Sequence, residues 1–345
     1  MKASGLKAVT VAAVLFGLAV GVWAQKQAPL ELIQTIPLPG VHRGMLDHFA
    51  VDLEDQRLFL ALEHDEMVGV FDLRTNKLIH TISGVQEPHS FLYRSDLKKL
   101  FVVDGGAGEV KIYEGNSYNL AGSVKLAPDA DSMAYDPSTK YMYVASRNRK
   151  VTPPYALISV VDTTAGKKLT DIKIDDADGI DGIALEKSGP RMFFNIPSKD
   201  VVVVMNREER KVIATWPIEQ GGQNAHSMKF DEAGHRLLVV SVDPPRLIVL
   251  DTDSGNVVTS LPSVTDVDDI NFDPASKRIY VSGSKFVDVF QQQDPDHYEQ
   301  IGHVPSAFHA QTAILVPELN RYYLAVPPHG AKQKEAELRV YKVLP

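Results

Sequence analysis

Apolar and polar positions alternate along most of this chain with a period of two, in short runs separated by polar turns, and that period predicts strands. The runs come in sets. An alternating run leads into a turn such as Asp136-Pro137-Ser138-Thr139-Lys140 and then into a run rich in aromatic and β-branched residues, which together read as a hairpin. A third run follows (VGVFDL, VKIYEG, ISVVDT, VVVVMN, LIVLDT, VDVFQQ and LRVYKV in successive sets), then usually a turn with Gly or Asn, then a fourth run such as KLIHTI or KVIATW. Each complete set predicts four strands.

The sets are copies of one unit. Aligning DHFAVDLEDQRLFLA, HSFLYRSDLKKLFVV, DSMAYDPSTKYMYVA, DGIALEKSGPRMFFN, HSMKFDEAGHRLLVV, DDINFDPASKRIYVS and TAILVPELNRYYLAV puts Asp47, His89, Asp131, Asp181, His226, Asp268 and Thr312 in one column. The column recurs at intervals of 42, 42, 50, 45, 42 and 44 residues, the roughly 40 to 50 residues of a four-stranded propeller blade. The seventh unit stops after its third run, and the missing fourth lies at the other end of the chain: Leu32-Ile33-Gln34-Thr35-Ile36 repeats Leu78-Ile79-His80-Thr81-Ile82 almost letter for letter. The expected fold is all-β: a seven-bladed β-propeller, a single domain over residues 25–345, with an N-terminal strand closing the last blade and removing its open edge. A solenoid of the same period would need capping repeats and would not explain the split unit.

Trp23 and Trp216 are the only tryptophans and neither precedes an Asp, so the Trp-Asp signature of WD40 blades is absent. The RLFVA-type second run, the VxVFD-type third run and the Gly/Lys/Asn turn after it resemble the YVTN-repeat propellers, also called the YncE-like family, over residues 30–345. Members are mostly exported and mostly lack an assigned reaction, so the resemblance implies a recognition or scaffold module before an enzyme. Asp47-His48 and Asp266-Val267-Asp268-Asp269 look like recurrent YncE-like segments. His309-Ala310-Gln311-Thr312 departs from the Ala-Arg-Thr-type segment expected in blade seven, so an anion-binding role does not carry over there.

The first residues change the picture of where the protein works. Lys2 and Lys7, the apolar stretch from Ala8 to Val22 and Val22-Trp23-Ala24 read as a Sec signal peptide over residues 1–24, cleaved after Ala24. An uncleaved anchor would need roughly 20 apolar residues. The mature chain is expected in the periplasm or outside the cell, with no membrane span after cleavage. With no cysteine in 345 residues, disulfides, thiolate zinc sites, iron–sulfur clusters, covalent haem and a cysteine nucleophile are excluded. The formal charge of −8 becomes −10 when the two leader lysines go, which disfavours nucleic acid and anionic membrane as partners.

Several motifs fail on inspection. Asp175-Asp176-Ala177-Asp178-Gly179 mimics an EF-hand, yet positions one and twelve of the loop would be Ile174 and Leu185. Gly105-Gly106-Ala107-Gly108 lacks a following Gly-Lys-Ser/Thr and reads as a strand-to-strand hairpin of blade two. Ser282-Gly283-Ser284 has neither the flanking pattern nor the helix of a nucleophile elbow. The 50-residue interval carries an insertion around Arg147, Arg149, Lys150, Pro153 and Pro154, which reads as a solvated loop stiffened by two prolines, with a projecting docking element as the alternative.

One feature carries candidate chemistry. The innermost strand of each blade lines the channel, so the aligned column should gather Asp47, His89, Asp131, Asp181, His226, Asp268 and Thr312 at one mouth, joined by His48 and Asp269 and flanked in sequence by Asp129, Asp178 and His309. Converging carboxylates repel unless a cation, a proton or water spreads their charge. The competing reading is that each aspartate caps its own turn. No cofactor is required. A divalent cation is the one the column accommodates, with Asp47, Asp268, Asp131 and Asp181 as its candidate ligands, held by neighbouring blades and not by the whole ring. Without a metal, the carboxylates should raise the proton affinity of both His89 and His226. The expected function is an exported module presenting this mouth to a protein or small-molecule ligand, with no catalytic residue assigned. The alternative is a metal-dependent, lactonase-type hydrolase using channel carboxylates.

Overall fold

The computed structural model describes residues 28–147, 154–218, 221–330 and 334–345. The expected leader lies outside the described residues, as do Arg149, Lys150 and Pro153 of the blade-three insertion. No described helix is long and apolar enough to cross a membrane.

Seven sheets of four antiparallel strands form the ring. Six are built from consecutive strands. The seventh combines Ala313–Val316, Arg321–Val326 and Ala336–Val343 with the N-terminal strand Leu30–Leu38, which runs from Leu30 opposite Val343 to Leu38 opposite Ala336. The last inner strand packs beside the first, Asp47–Asp52, and closes the circle. Ile36 is buried while Leu32 and Ile33 are exposed, as Ile82 is buried and Ile79 exposed in blade one, so the repeated segment fills the same outer position in both blades.

Burial follows strand position. Second strands such as Arg57–Leu62 are buried throughout, because neighbouring blades cover both faces, whereas outer strands such as Lys77–Ser83 expose most positions. The apolar clusters lie between blades: Leu58, Leu60 and Phe71 of blade one meet Tyr323, Ala325 and Leu338 of blade seven. The turn caps are the carboxylates that end the strands. Asp52 accepts from the Glu54 and Asp55 amides, Asp136 from Ser138, Asp273 from Ala275 and Asp251 from Asp253 and Ser254.

A polar staple joins every pair of adjacent blades. Arg57 reaches the Gly115 carbonyl and Tyr93 of blade two, Arg94 reaches Thr163, Arg191 the Thr252 carbonyl, Arg236 the Pro295 carbonyl and Asp296, and Arg278 the Leu344 carbonyl. Between blades three and four the direction reverses, with Arg207 reaching back to Asp136. Between blades seven and one, Tyr323 donates to Asn76.

Gly105–Gly108 is the hairpin between Lys99–Asp104 and Glu109–Glu114. Asp104 at its root is fully buried and accepts from the amides of Gln86 (3.0 Å), Glu87 (3.1 Å) and Ala107 (3.1 Å) and from Lys111 Nζ (2.8 Å). Burial alone would raise its pKa, but the Lys111 charge and the three amides hold it below the ordinary value. A depressed carboxylate contributes stability that is complete above its unfolded pKa and lost as pH falls through the folded value. The stability difference between wild type and Asp104→Asn should therefore be about 1.5–3 kcal/mol at pH 7 and shrink steadily below pH ~4. Urea unfolding from pH 7 down to pH 2.5 measures it, and a difference independent of pH would refute the assignment.

Candidate functional site

The backbone prepares the column before any side chain is considered. In blade one the ladder slips at His48; in blades two, three and five it skips His89-Ser90, Asp131-Ser132 and His226-Ser227, leaving one extra residue on the inner strand. In blades four, six and seven, pairing of the inner strand starts only at Ile183, Ile270 and Ala313, just past the column. Such interruptions turn a side chain out of the pleat. Cross-blade hydrogen bonds then tie the interrupted segments to one another. Ser90 Oγ donates to the Asp131 carbonyl (2.8 Å), buried Asn195 donates to the Ala225 (2.5 Å) and His226 (2.6 Å) carbonyls, and Ser282 Oγ donates to the Gln311 carbonyl (2.5 Å). Ser282 is thus a structural hydroxyl.

The result is a cavity of about 430 Å³ at the channel mouth, lined by charged residues of six blades. It has two halves. In one, Arg147 bridges Asp131 (2.9 Å) and Asp181, and His226 Nδ1 stands 3.8 Å from Asp181. In the other, Asp47 is central: Oδ2 meets His89 Nδ1 at 2.6 Å, and Oδ1 accepts from the His48 amide (2.8 Å) and lies 3.5 Å from His48 Nε2. The opposite ring nitrogen, His48 Nδ1, is 3.2 Å from Asp269 Oδ1, and Asp269 Oδ2 accepts from the Ala313 amide (3.0 Å). Glu63 and Asp268 complete this half.

The two halves titrate differently. Burial opposes the charged form of every group here. In the Asp47 half the charges overcome it: His48 and His89 hold the Asp47 carboxyl well below the usual range, His89 rises to about 9 against Asp47, and His48 rises well above its ordinary value beside Asp47 and Asp269. Burial and the Asp47 and Asp269 charges push Asp268 up to about 8 against the pull of His48, and burial and Asp47 raise Glu63.

His226 corrects the expectation that both column histidines gain proton affinity. Its pKa is lowered, because burial disfavours the imidazolium and the Arg147 cation adds to that effect, and Asp181 at 3.8 Å does not compensate. His89, in contact with a carboxylate and distant from the guanidinium, follows the expectation.

Eight of the nine column residues and their neighbours singled out by sequence line the cavity: Asp47, His48, His89, Asp131, Asp181, His226, Asp268 and Asp269. The ninth, Thr312, is 1% exposed and acts as a strut, its hydroxyl placed against the Leu46 carbonyl (3.1 Å) and Asp268 (3.2 Å). Asp129, Asp178 and His309 are not among the lining residues; Asp178 accepts from Ser198 and His309 pairs with Asp266. Among the described residues of the column, only Asp47 accepts from a neighbouring amide. The other turn caps sit at the strand ends, so turn capping does not account for Asp131, Asp181 and Asp268.

Arg147 and Glu63 are among the lining residues that escaped the sequence reading. Arg147 was grouped with the basic insertion as a solvated residue, but it ends the strand Tyr141–Arg147 with a side chain 23% exposed and turned into the mouth. Glu63 sits on a single 3-10 turn, Glu63–Asp65, after the second strand of blade one. Its place between two strands was the only signal for it.

No protein-family model matches the chain, and no curated protein matches it. Solved structures do match. A hydrazine synthase chain from Kuenenia stuttgartiensis aligns with a TM-score of 0.71 at 16% identity, covering 83% of this chain and 95% of that one. A chain from the crystal structure of a mitotic checkpoint complex aligns with a TM-score of 0.73 at 13% identity, covering 99% and 100%. The likeness is one of fold. It places this chain among β-propellers.

The seat of His89 depends on a glycine. A Cβ on Gly105 would stand 2.8 Å from the His89 ring and 2.7 Å from the Ala130 carbonyl oxygen. Gly105→Ala should therefore cost about 1–3 kcal/mol through overpacking and move the ring off Asp47. Histidine NMR titration should show His89 falling from about 9 towards its ordinary value. An unmoved His89 would show that the backbone absorbs the methyl group.

Proposed function

We propose that this chain is an exported binding module of the YVTN-repeat, YncE-like kind, working in the periplasm or outside the cell and receiving a small polar ligand or a protein partner at the channel mouth. One observation carries the reading: charged side chains from six blades converge on a single cavity of about 430 Å³, and convergent polar groups around a concavity are the mark of a ligand seat. The blade pattern and the leader-like first residues support the family and the export. Envelope fractionation with N-terminal sequencing should find the mature chain starting at Gln25. Pull-down from an envelope fraction should capture a partner, or a ligand screened by thermal shift should bind, with wild type and not with Asp131→Asn/Asp181→Asn. Equal capture or binding by both proteins would move the binding surface elsewhere.

A metal-dependent hydrolase of the lactonase type is the second reading, favoured by the grouping of ligand atoms of Asp47, His48 and Asp268, and of Asp47, Glu63 and His89, within 4.8 Å of one another. A lactone and ester panel with added Mn²⁺, Zn²⁺ or Ca²⁺ tests it, and flat traces throughout would retire it.

A further inference from the structure

We propose that the Asp47 half of the mouth is a centre for two divalent transition-metal ions, with Asp47 as the bridging carboxylate, His48 and Asp268 completing one site and Glu63 and His89 the other. This deepens the reading of the mouth as a ligand seat and rests on it.

The two halves of the mouth meet the same electrostatic problem in different ways. Asp131 and Asp181 are drawn together by a cation that belongs to the chain, the Arg147 guanidinium. Asp47 is paired with His48 and His89, whereas Asp268 and Glu63 have no such guanidinium between them. Glu63 is 15% exposed at its side chain, and its nearest ion-pair partner is His64 at 3.6 Å. Among the described residues its carboxylate accepts no hydrogen bond, although it lines the cavity. Among the described residues, the Asp268 carboxyl has one hydrogen-bond partner, the Thr312 hydroxyl, which it shares with the Leu46 carbonyl. Carboxylates this enclosed and this poor in donors call for a cation from outside.

The geometry assigns one oxygen of Asp47 to each site. Oδ1 faces His48 Nε2 and Oδ2 faces His89 Nδ1, and in each triad the three ligand atoms lie within 4.8 Å of one another. That is close to twice a metal–ligand bond of about 2.0–2.2 Å, so small side-chain rotations bring each triad onto an ion. A carboxylate with one oxygen on each of two ions is a standard way of holding a metal pair about 3.5–4 Å apart.

His48 also has an outer shell. Its Nδ1 is paired with Asp269, itself anchored by the Ala313 amide, which orients the ring and presents Nε2 to Asp47. On the other side Gly105 leaves room for the His89 ring. One imidazole nitrogen and two carboxylate oxygens per ion, with no thiolate in the chain, select Zn²⁺ or Mn²⁺ over the all-oxygen preference of Ca²⁺ and Mg²⁺.

The test uses the mature chain, stripped with chelator and titrated with ZnCl₂ and MnCl₂ by calorimetry, with metal content by mass spectrometry after desalting. Two ions per chain are expected, with a spin-coupled electron paramagnetic resonance signal when both are Mn²⁺. His48→Ala and His89→Ala should each bind one ion, and Asp47→Asn none. Asp269→Asn should keep the count but weaken the first site by about 10–100-fold. Circular dichroism and thermal melts check that each variant is folded, and His235→Ala/His297→Ala controls for binding at exposed histidines. One ion or none per chain, or two ions undisturbed in Asp47→Asn, would overturn the proposal. If partner capture persists in chelator while no metal binds, the metal centre falls and the binding seat stands.

Discussion

Replacing Arg57 by methionine should lower the unfolding free energy by about 3–5 kcal/mol, the range for breaking one side of a buried ion pair. The side chains of Arg57 and Asp52 are 7% and 0% exposed, with Nε and Nη2 of the guanidinium donating to Asp52 Oδ2 at 3.0 and 2.6 Å. The same guanidinium bonds to the Gly115 carbonyl and to Tyr93 Oη (2.6 Å) in the next blade, and its Cζ lies 5.2 Å from the Tyr93 ring centroid. Its loss therefore leaves a buried carboxylate uncompensated and opens the staple between blades one and two. Arg57→Lys keeps the charge but not the planar fork, and should lie between wild type and Arg57→Met. Asp52→Asn in the Arg57→Met background removes the stranded charge while keeping a turn cap, and should recover a large part of the loss. Guanidinium unfolding of the three variants decides it; a loss below about 1 kcal/mol for Arg57→Met would mean the pair behaves like a surface bridge.

Arg147→Met should have the largest effect within the mouth. Asp131 and Asp181 would then face each other with no cation between them. Because the Arg147 side chain is 23% exposed, water screens part of the repulsion and the loss should be about 2 kcal/mol, less than at Arg57. The second readout is His226. Its lowered proton affinity reflects burial and the Arg147 charge, with Asp181 acting in the opposite direction. Without the guanidinium, Asp181 remains and the His226 pKa should climb, which histidine NMR measures directly. The linked pH effect has a definite sign. In wild type the depressed folded pKa of His226 gives stability that is present above its ordinary value of 6.5 and lost as pH falls through the folded value. In Arg147→Met that loss should diminish or reverse. A His226 titration unchanged by the substitution would show that burial alone sets it.

The blades, their number and their closure were legible in the sequence because each is written in short-range pattern. A period of two makes a strand, a polar cluster with an Asx residue makes its turn, and a repeat of these at 42 to 50 residues makes a ring of blades. The near-identity of Leu32–Ile36 and Leu78–Ile82 marks both as outer strands, and the pairing of Leu30–Leu38 with Ala336–Val343 realises it. The column was legible for the same reason: equivalent positions in a rotational repeat lie on one circle, so an alignment column becomes a ring of side chains.

Tertiary structure alone decided how that ring is divided. Arg147 stands outside the column, sixteen positions past Asp131, and only the course of its strand towards the mouth makes it the bridge between two carboxylates. Glu63 enters because a single 3-10 turn carries it back over the channel. Thr312 shares the column but turns to the Leu46 carbonyl, and His226 shares it with His89 but faces a guanidinium where His89 faces a carboxylate. The pattern along the chain says which residues share a radius and an end of the propeller. Pairing across blades and the sign of each titration depend on separations of a few ångströms between residues 34 to 44 positions apart. Coulomb energies and hydrogen bonds change over those few ångströms, and no local pattern encodes them.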